Sequence, residues 1–204
     1  LIRRASGLVA PKDYPGLSRP SIIGKPPAMI LTPASPEFGA VSQFVAQRSQ
    51  NANPFPSGTW ASANDPIALP FFLYEPLTVY QLGWHNGSGT MTDSCDVGVY
   101  DSSWVRKIST TGTARTGVSA LQFVDVSDTT IGPGKFYLAM SNNGTTANQQ
   151  QFFAGPANAV ICGLLGMLDS ATDAYVLPDP LTGMAAAATF TQIPALVIAA
   201  RTVV

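Results

Sequence analysis

Histidine is nearly missing from this chain, which holds only His85, and cysteine is limited to Cys95 and Cys162. Two thiols and one imidazole cannot build the usual zinc sites. A Ser-His-Asp triad would have to use His85. The Asn86-Gly-Ser-Gly89 run after it is not the Gly-x-Ser-x-Gly of a nucleophile elbow and reads as a hairpin turn. Two catalytic carboxylates for glycoside hydrolysis are equally hard to find. Asp93, Asp96, Asp101, Asp125, Asp128, Asp169, Asp173 and Asp179 mostly neighbour Ser, Thr or Gly, where Asp caps turns. Gly132-Pro-Gly-Lys135 lacks the spacing and hydroxyl of a phosphate loop. The sequence therefore predicts no enzyme and no cofactor. The one cation site to weigh is a loop at Asp93 and Asp96, whose oxygens suit calcium.

Charge is scarce as well: charged residues are 11% of the chain, against ~25% in an average domain. The surface must then be Ser, Thr, Asn, Gln and Gly, or be covered by partners, as in secreted and virion proteins. The net charge of −1 gives no field that attracts nucleic acid. Its distribution is uneven. Residues 1–48 carry six basic groups against two acidic ones, a balance of +4. The other 156 residues carry five against ten, a balance of −5. Such an arm can lie on the acidic body of a neighbouring copy; the alternative is a solvated tail. No apolar stretch reaches the ~18–20 residues of a membrane span.

What is abundant is proline, with seven of 17 before residue 40, at 11, 15, 20, 26, 27, 33 and 36. Each fixes φ and removes a donor, which forbids helix and central strand. Leu8, Val9, Tyr14, Leu17, Ile22, Ile23, Met29, Ile30 and Leu31 are spaced along this segment, unlike a plain disordered linker. Residues 1–58 are thus expected to form an extended Pro-rich arm outside the sandwich core. A short helix is expected over 37–50, where Val41, Phe44 and Val45 share a face and Ser35 can cap the start.

From Trp60 to the end, residues 59–204 read as one antiparallel, all-β domain. Strands are expected at 77–85, 95–100, 104–108, 121–126 and 135–140, with further apolar runs at 151–154, 160–168 and 195–203. Period-two alternation places Tyr80, Leu82, Trp84, Cys95, Val97, Val99, Phe136, Leu138 and Met140 toward the core. Cys95 and Cys162 read as small buried hydrophobes rather than a disulfide. Met184–Ala188 can alternatively form a helical turn. Asn86-Gly-Ser and Asn143-Gly-Thr match the glycosylation pattern by chance in a chain this rich in Asn, Ser and Thr. Short strands with Gly/Asn/Asp turns indicate a sandwich or barrel, with a jelly-roll-like β-sandwich as first choice. For ligands, Trp104 and Tyr100 near a loop edge are the candidate residues, since sugars stack on such rings; the alternative places Trp104 in the core.

Three runs carry a resemblance: Leu77-Thr-Val-Tyr-Gln-Leu-Gly-Trp84, Asp96-Val-Gly-Val-Tyr-Asp101 and Ile131-Gly-Pro-Gly-Lys-Phe-Tyr-Leu-Ala-Met140. Over about residues 77–141 this resembles jelly-roll modules of tailed-bacteriophage structural proteins in capsid decorations, tails and fibres. The same grammar occurs in carbohydrate-binding sandwiches. The resemblance implies a virion location, with other virion proteins and copies of the chain itself as partners. Scarce surface charge and the apolar C-terminal run Ile193–Ala200, one face of which a neighbouring chain could cover, predict a closed oligomer, a trimer or part of a symmetric shell; the three-fold count is what the resemblance implies. It transfers no functional residue. The second reading is a glycan- or receptor-binding module of a phage tail or of a secreted protein, with a host-surface glycan as its partner.

Overall fold

The computed structural model describes residues 28–38, 57–60, 62–89, 91–154, 166–170, 175–186 and 192–203. Within them the chain is nearly all-β, and every strand pair is antiparallel. Strands are numbered in chain order. One sheet places β1 (Ala28–Leu31), β14 (Leu196–Thr202), β4 (Leu77–His85) and β8 (Leu121–Ile131) side by side in that order. The larger sheet runs β12 (Met184–Ala186), β11 (Leu168–Ser170), β3 (Ile67–Leu73), β9 (Gly134–Asn142), β5 (Ser94–Asp101) and β6 (Arg106–Ser109), with β7 (Thr113–Ala114) also on β5. A small third sheet joins β13 (Gln192–Pro194), β10 (Asn148–Ala154) and β2 (Ser57–Thr59).

The two larger sheets face one another across a single apolar cluster. Leu77, Val79, Leu82, Trp84, Leu196 and Ile198 enter it from the first sheet. Leu69, Phe71, Val97, Val99, Leu138 and Met140 enter from the second. Leu82, Trp84, Cys95, Val97, Val99, Phe136, Leu138 and Met140 are buried as their alternation requires. Tyr80 is a correction: it is only half-buried. A β-bulge in the pairing with β14 sets Val79, Tyr80 and Gln81 of β4 against Ala200 and Ala199 alone. The extra residue changes the phase of the strand, so Leu77 and Val79 point inward before it and Leu82 and Trp84 after it. Tyr80 is left on the outer side, where the Arg201 guanidinium lies 5.7 Å from its ring centroid.

Two expectations for the N-terminal part change. Residues 28–31, placed in the arm by their proline neighbours, form β1 and pair with β14 in register Ala28↔Arg201 to Leu31↔Ile198. Leu31 and Phe38 are buried in the shared core, and Phe38 stacks on Phe71 at 5.2 Å. Pro26, Pro27 and Pro33 bracket a proline-free tetrad, and β1 takes the edge position where flanking prolines are tolerated. Of the helix expected over 37–50, the described part is the single 3-10 turn Pro36–Phe38; 39–50 lie outside the described residues. Met184–Ala186 is strand rather than a helical turn, because it pairs with β11. The C-terminal apolar run is covered within the chain itself: Ile193 and Ala195–Ala200 are all buried, with β14 flanked by β1 and β4. Cys162 lies outside the described residues.

Candidate functional site

The outer face of the larger sheet is where the structure collects aromatic rings. Tyr100 on β5 and Tyr137 on β9 are register partners. The β5–β6 turn brings Trp104 over them, its ring stacked on Tyr137 at 4.2 Å and 6.4 Å from Tyr100. Lys135 Nζ lies 4.9 Å from the Tyr137 ring centroid. The turn is built by Asp101, whose carboxylate accepts the amides of Ser103 and Val105 and pairs with Lys107 at 2.7 Å. Those contacts hold the Asp101 carboxyl below its ordinary range. Trp104 adopts φ 65°, a left-handed conformation uncommon for a bulky side chain.

Residues 175–181 cover part of this face. Leu177 and Leu181 bury themselves against Tyr100, Tyr137, Ala68 and Ala139. Tyr100 donates its hydroxyl to the Pro178 carbonyl at 2.6 Å, and Arg106 Nη1 donates to the Leu177 carbonyl at 2.6 Å. The Leu181 amide donates to the Trp104 carbonyl at 3.1 Å. The two predicted ligand residues are therefore together but unequal. Tyr100 is fully buried and presents no ring face to solvent. Trp104 is half-buried. Tyr137 is the third ring, which sequence reasoning did not single out, although alternation with Phe136 and Leu138 already turned it outward.

Asp96 lies under the same cover. It is fully buried and accepts Thr110 Oγ1 at 2.9 Å and the Leu177 amide at 3.1 Å. Burial holds its carboxyl above the ordinary Asp value, against the hydrogen bonds from Thr110, Leu177 and Gly112. A carboxyl raised in the folded state contributes stability that is present below the unfolded value of ~3.9 and is lost as pH rises through the folded value. Asp96→Asn stays neutral and lacks this slope. Urea unfolding between pH 4 and 7 should thus show the unsubstituted protein losing stability relative to Asp96→Asn as pH rises. A difference that does not change with pH would contradict this account.

A second buried polar group ties the loops at one end of the sheets. Arg115 is buried and donates to Asn142 Oδ1 at 2.7 Å and to Asn86 Oδ1 at 3.4 Å. Asn86 also accepts the Trp84 indole N–H at 2.9 Å and donates to the Thr116 carbonyl at 2.6 Å. The Asn86 amide is thus enclosed and cannot accept a glycan, whereas Asn143 is exposed. His85 Nδ1 sits 2.8 Å from the Asn86 carbonyl and serves the same turn. Burial pushes the neighbouring Cys95 thiol up to about 12. Asp93 accepts the amides of Thr146 and Ala147, both at 2.8 Å, so it and Asp96 each hold a different loop.

On the surface, Phe72 and Tyr74 form an exposed tilted pair with ring centroids 5.1 Å apart at the end of β3. Phe72 is 45% and Tyr74 80% exposed. Among the described residues, no helix is long and apolar enough to cross a membrane, and no three His, Cys, Asp or Glu side chains come together as a metal site. No protein-family model, curated protein or solved structure matches the chain.

Proposed function

We propose that the chain is a non-enzymatic structural protein of a tailed-bacteriophage virion, anchored to neighbouring subunits through its N-terminal arm and displaying a jelly-roll-like β-sandwich. The carrying observation is the exposed Phe72–Tyr74 pair, since contiguous apolar surface of this kind marks protein contacts. The chain path supports the jelly-roll reading: it crosses between the two large sheets from β4 to β5 and again from β8 to β9. The buried Asp96 and Arg115 serve loop attachment, which suits a static part. The partners are other virion proteins and copies of the chain itself.

The test is incorporation into particles that lack their own copy of this chain. Quantitative mass spectrometry should find the supplied protein at fixed copy number, and Phe72→Ser/Tyr74→Ser should fall to about a tenth of that or less, as expected for exposed contact aromatics. Equal incorporation of the variant removes the surface argument, and absence of the chain from particles removes the virion reading. A second reading, binding of a host-surface glycan, is favoured by one observation: the left-handed Trp104 held in place by Tyr137. In that case a glycan array would show binding that Trp104→Ala abolishes while incorporation stays intact.

A further inference from the structure

We propose that the cleft between the end of β3 and the start of β1 is the socket for a basic side chain from the N-terminal segment of a second copy. This inference rests on the arm-anchoring reading above and names the receiving site. The cleft measures about 160 Å³, room for one long side chain rather than a drug-sized ligand, which takes ~300–1,000 Å³. Met29, Leu73 and Leu77 give it apolar walls, and Tyr74 stands at the rim. Two carboxylates, Glu37 and Glu75, line it. Glu37 Oε2 is buried and finds no hydrogen-bond partner among the described residues, a costly state for a carboxylate oxygen.

Apolar walls, an aromatic ring and carboxylates are the requirements of a cation on a hydrocarbon stem. A bare metal ion would leave the apolar walls unused. The basic supply is in the chain. Residues 1–27 hold Arg3, Arg4, Lys12, Arg19 and Lys25 against Asp13 alone. The body after residue 48 has a balance of −5. Residue 27 joins the fold at Ala28, beside Met29 in the cleft wall, so the segment starts at the socket's own rim. In the sequence Pro26 and Pro27 stand directly before that point, and two consecutive prolines disfavour a tight reversal into the copy's own cleft. Extended, 27 residues reach up to about 90 Å, enough to cross to a neighbour. Exchange of arms between copies fills each socket and leaves none open.

The test is sedimentation of the full chain over a concentration series at low and high salt. The unsubstituted protein should associate, and more weakly at high salt. Glu37→Gln/Glu75→Gln should weaken association about tenfold or more. So should replacement of the five basic residues of 1–27 by Gln, which leaves the described fold untouched. Adding a synthetic peptide of residues 1–27 should dissociate the unsubstituted assembly and have little effect on the carboxylate variant. A monomer at all concentrations, or association constants within about twofold for both variants, overturns the proposal. Because neither variant alters Phe72 or Tyr74, normal incorporation of these variants into particles would sink the socket while leaving the virion reading in place.

Discussion

Deleting residues 1–50 should lower the free energy of unfolding by about 3–6 kcal/mol, since it takes two buried side chains, Leu31 and Phe38, out of the core at ~1.5–3 kcal/mol each. The truncation also strips the pairing partner from β14, exposing a strand edge that is now covered. Against a total of ~5–15 kcal/mol for an ordinary domain, that loss leaves a large unfolded fraction. Urea unfolding followed by tryptophan fluorescence measures it, with Trp60 and Trp84 both buried reporters. An unchanged midpoint would mean that the sheet closes equally well without β1.

Trp84→Ala should be comparably severe, at about 3–5 kcal/mol. Trp84 is 1% exposed and sits between Leu196 on β14 and Gln122 on β8 in the sheet. The substitution opens a cavity the size of an indole. It also removes the donor that Asn86 Oδ1 accepts at 2.9 Å, leaving Arg115 at 3.4 Å as the other donor to that oxygen. Damage should therefore spread to the Arg115 loop. Trp84→Phe separates the two effects, since it keeps most of the packing and loses only the hydrogen bond, with an expected cost of about 1–2 kcal/mol. Equal losses for both substitutions would mean that packing contributes little there.

Much of the β domain was legible because alternation is a strong signal where one face is buried. Leu82, Trp84, Val97, Val99, Leu138 and Met140 point as a period of two requires. Tyr80 escaped because a bulge changes phase without changing composition. β3 escaped because Pro70 lies in its middle, which normally argues against a strand. The structure accommodates it because β11 pairs only with Ile67 and Ala68, so that side of β3 is an edge by Pro70. Arg115 sits in the Thr/Gly-rich run 109–117, whose composition signals only a loop, and the tertiary approach of Asn86 and Asn142 makes it a buried hub. The site was half legible. Tyr100 and Trp104 do meet, but the cover over Tyr100 comes from residues more than 70 positions away.

The position of β8 bears on how any assembly of this protein can grow. At 11 residues it is the longest strand among the described residues, and it ends its sheet. A long outermost strand offers a ladder of backbone groups on which another molecule can template, the route by which β proteins precipitate or form fibrils. Here Asp125, Ser127, Asp128 and Thr130 are exposed along it, and Asp128 is tied to Arg201 on the sheet face. Two copies meeting ladder to ladder would bring their Asp125 and Asp128 side chains together with Arg201 offsetting only the latter, which like-charge repulsion disfavours. Stacking by sheet extension is thereby discouraged, so an assembly of the kind proposed would use discrete contacts at the ends and faces of the domain, where growth can stop at a fixed number.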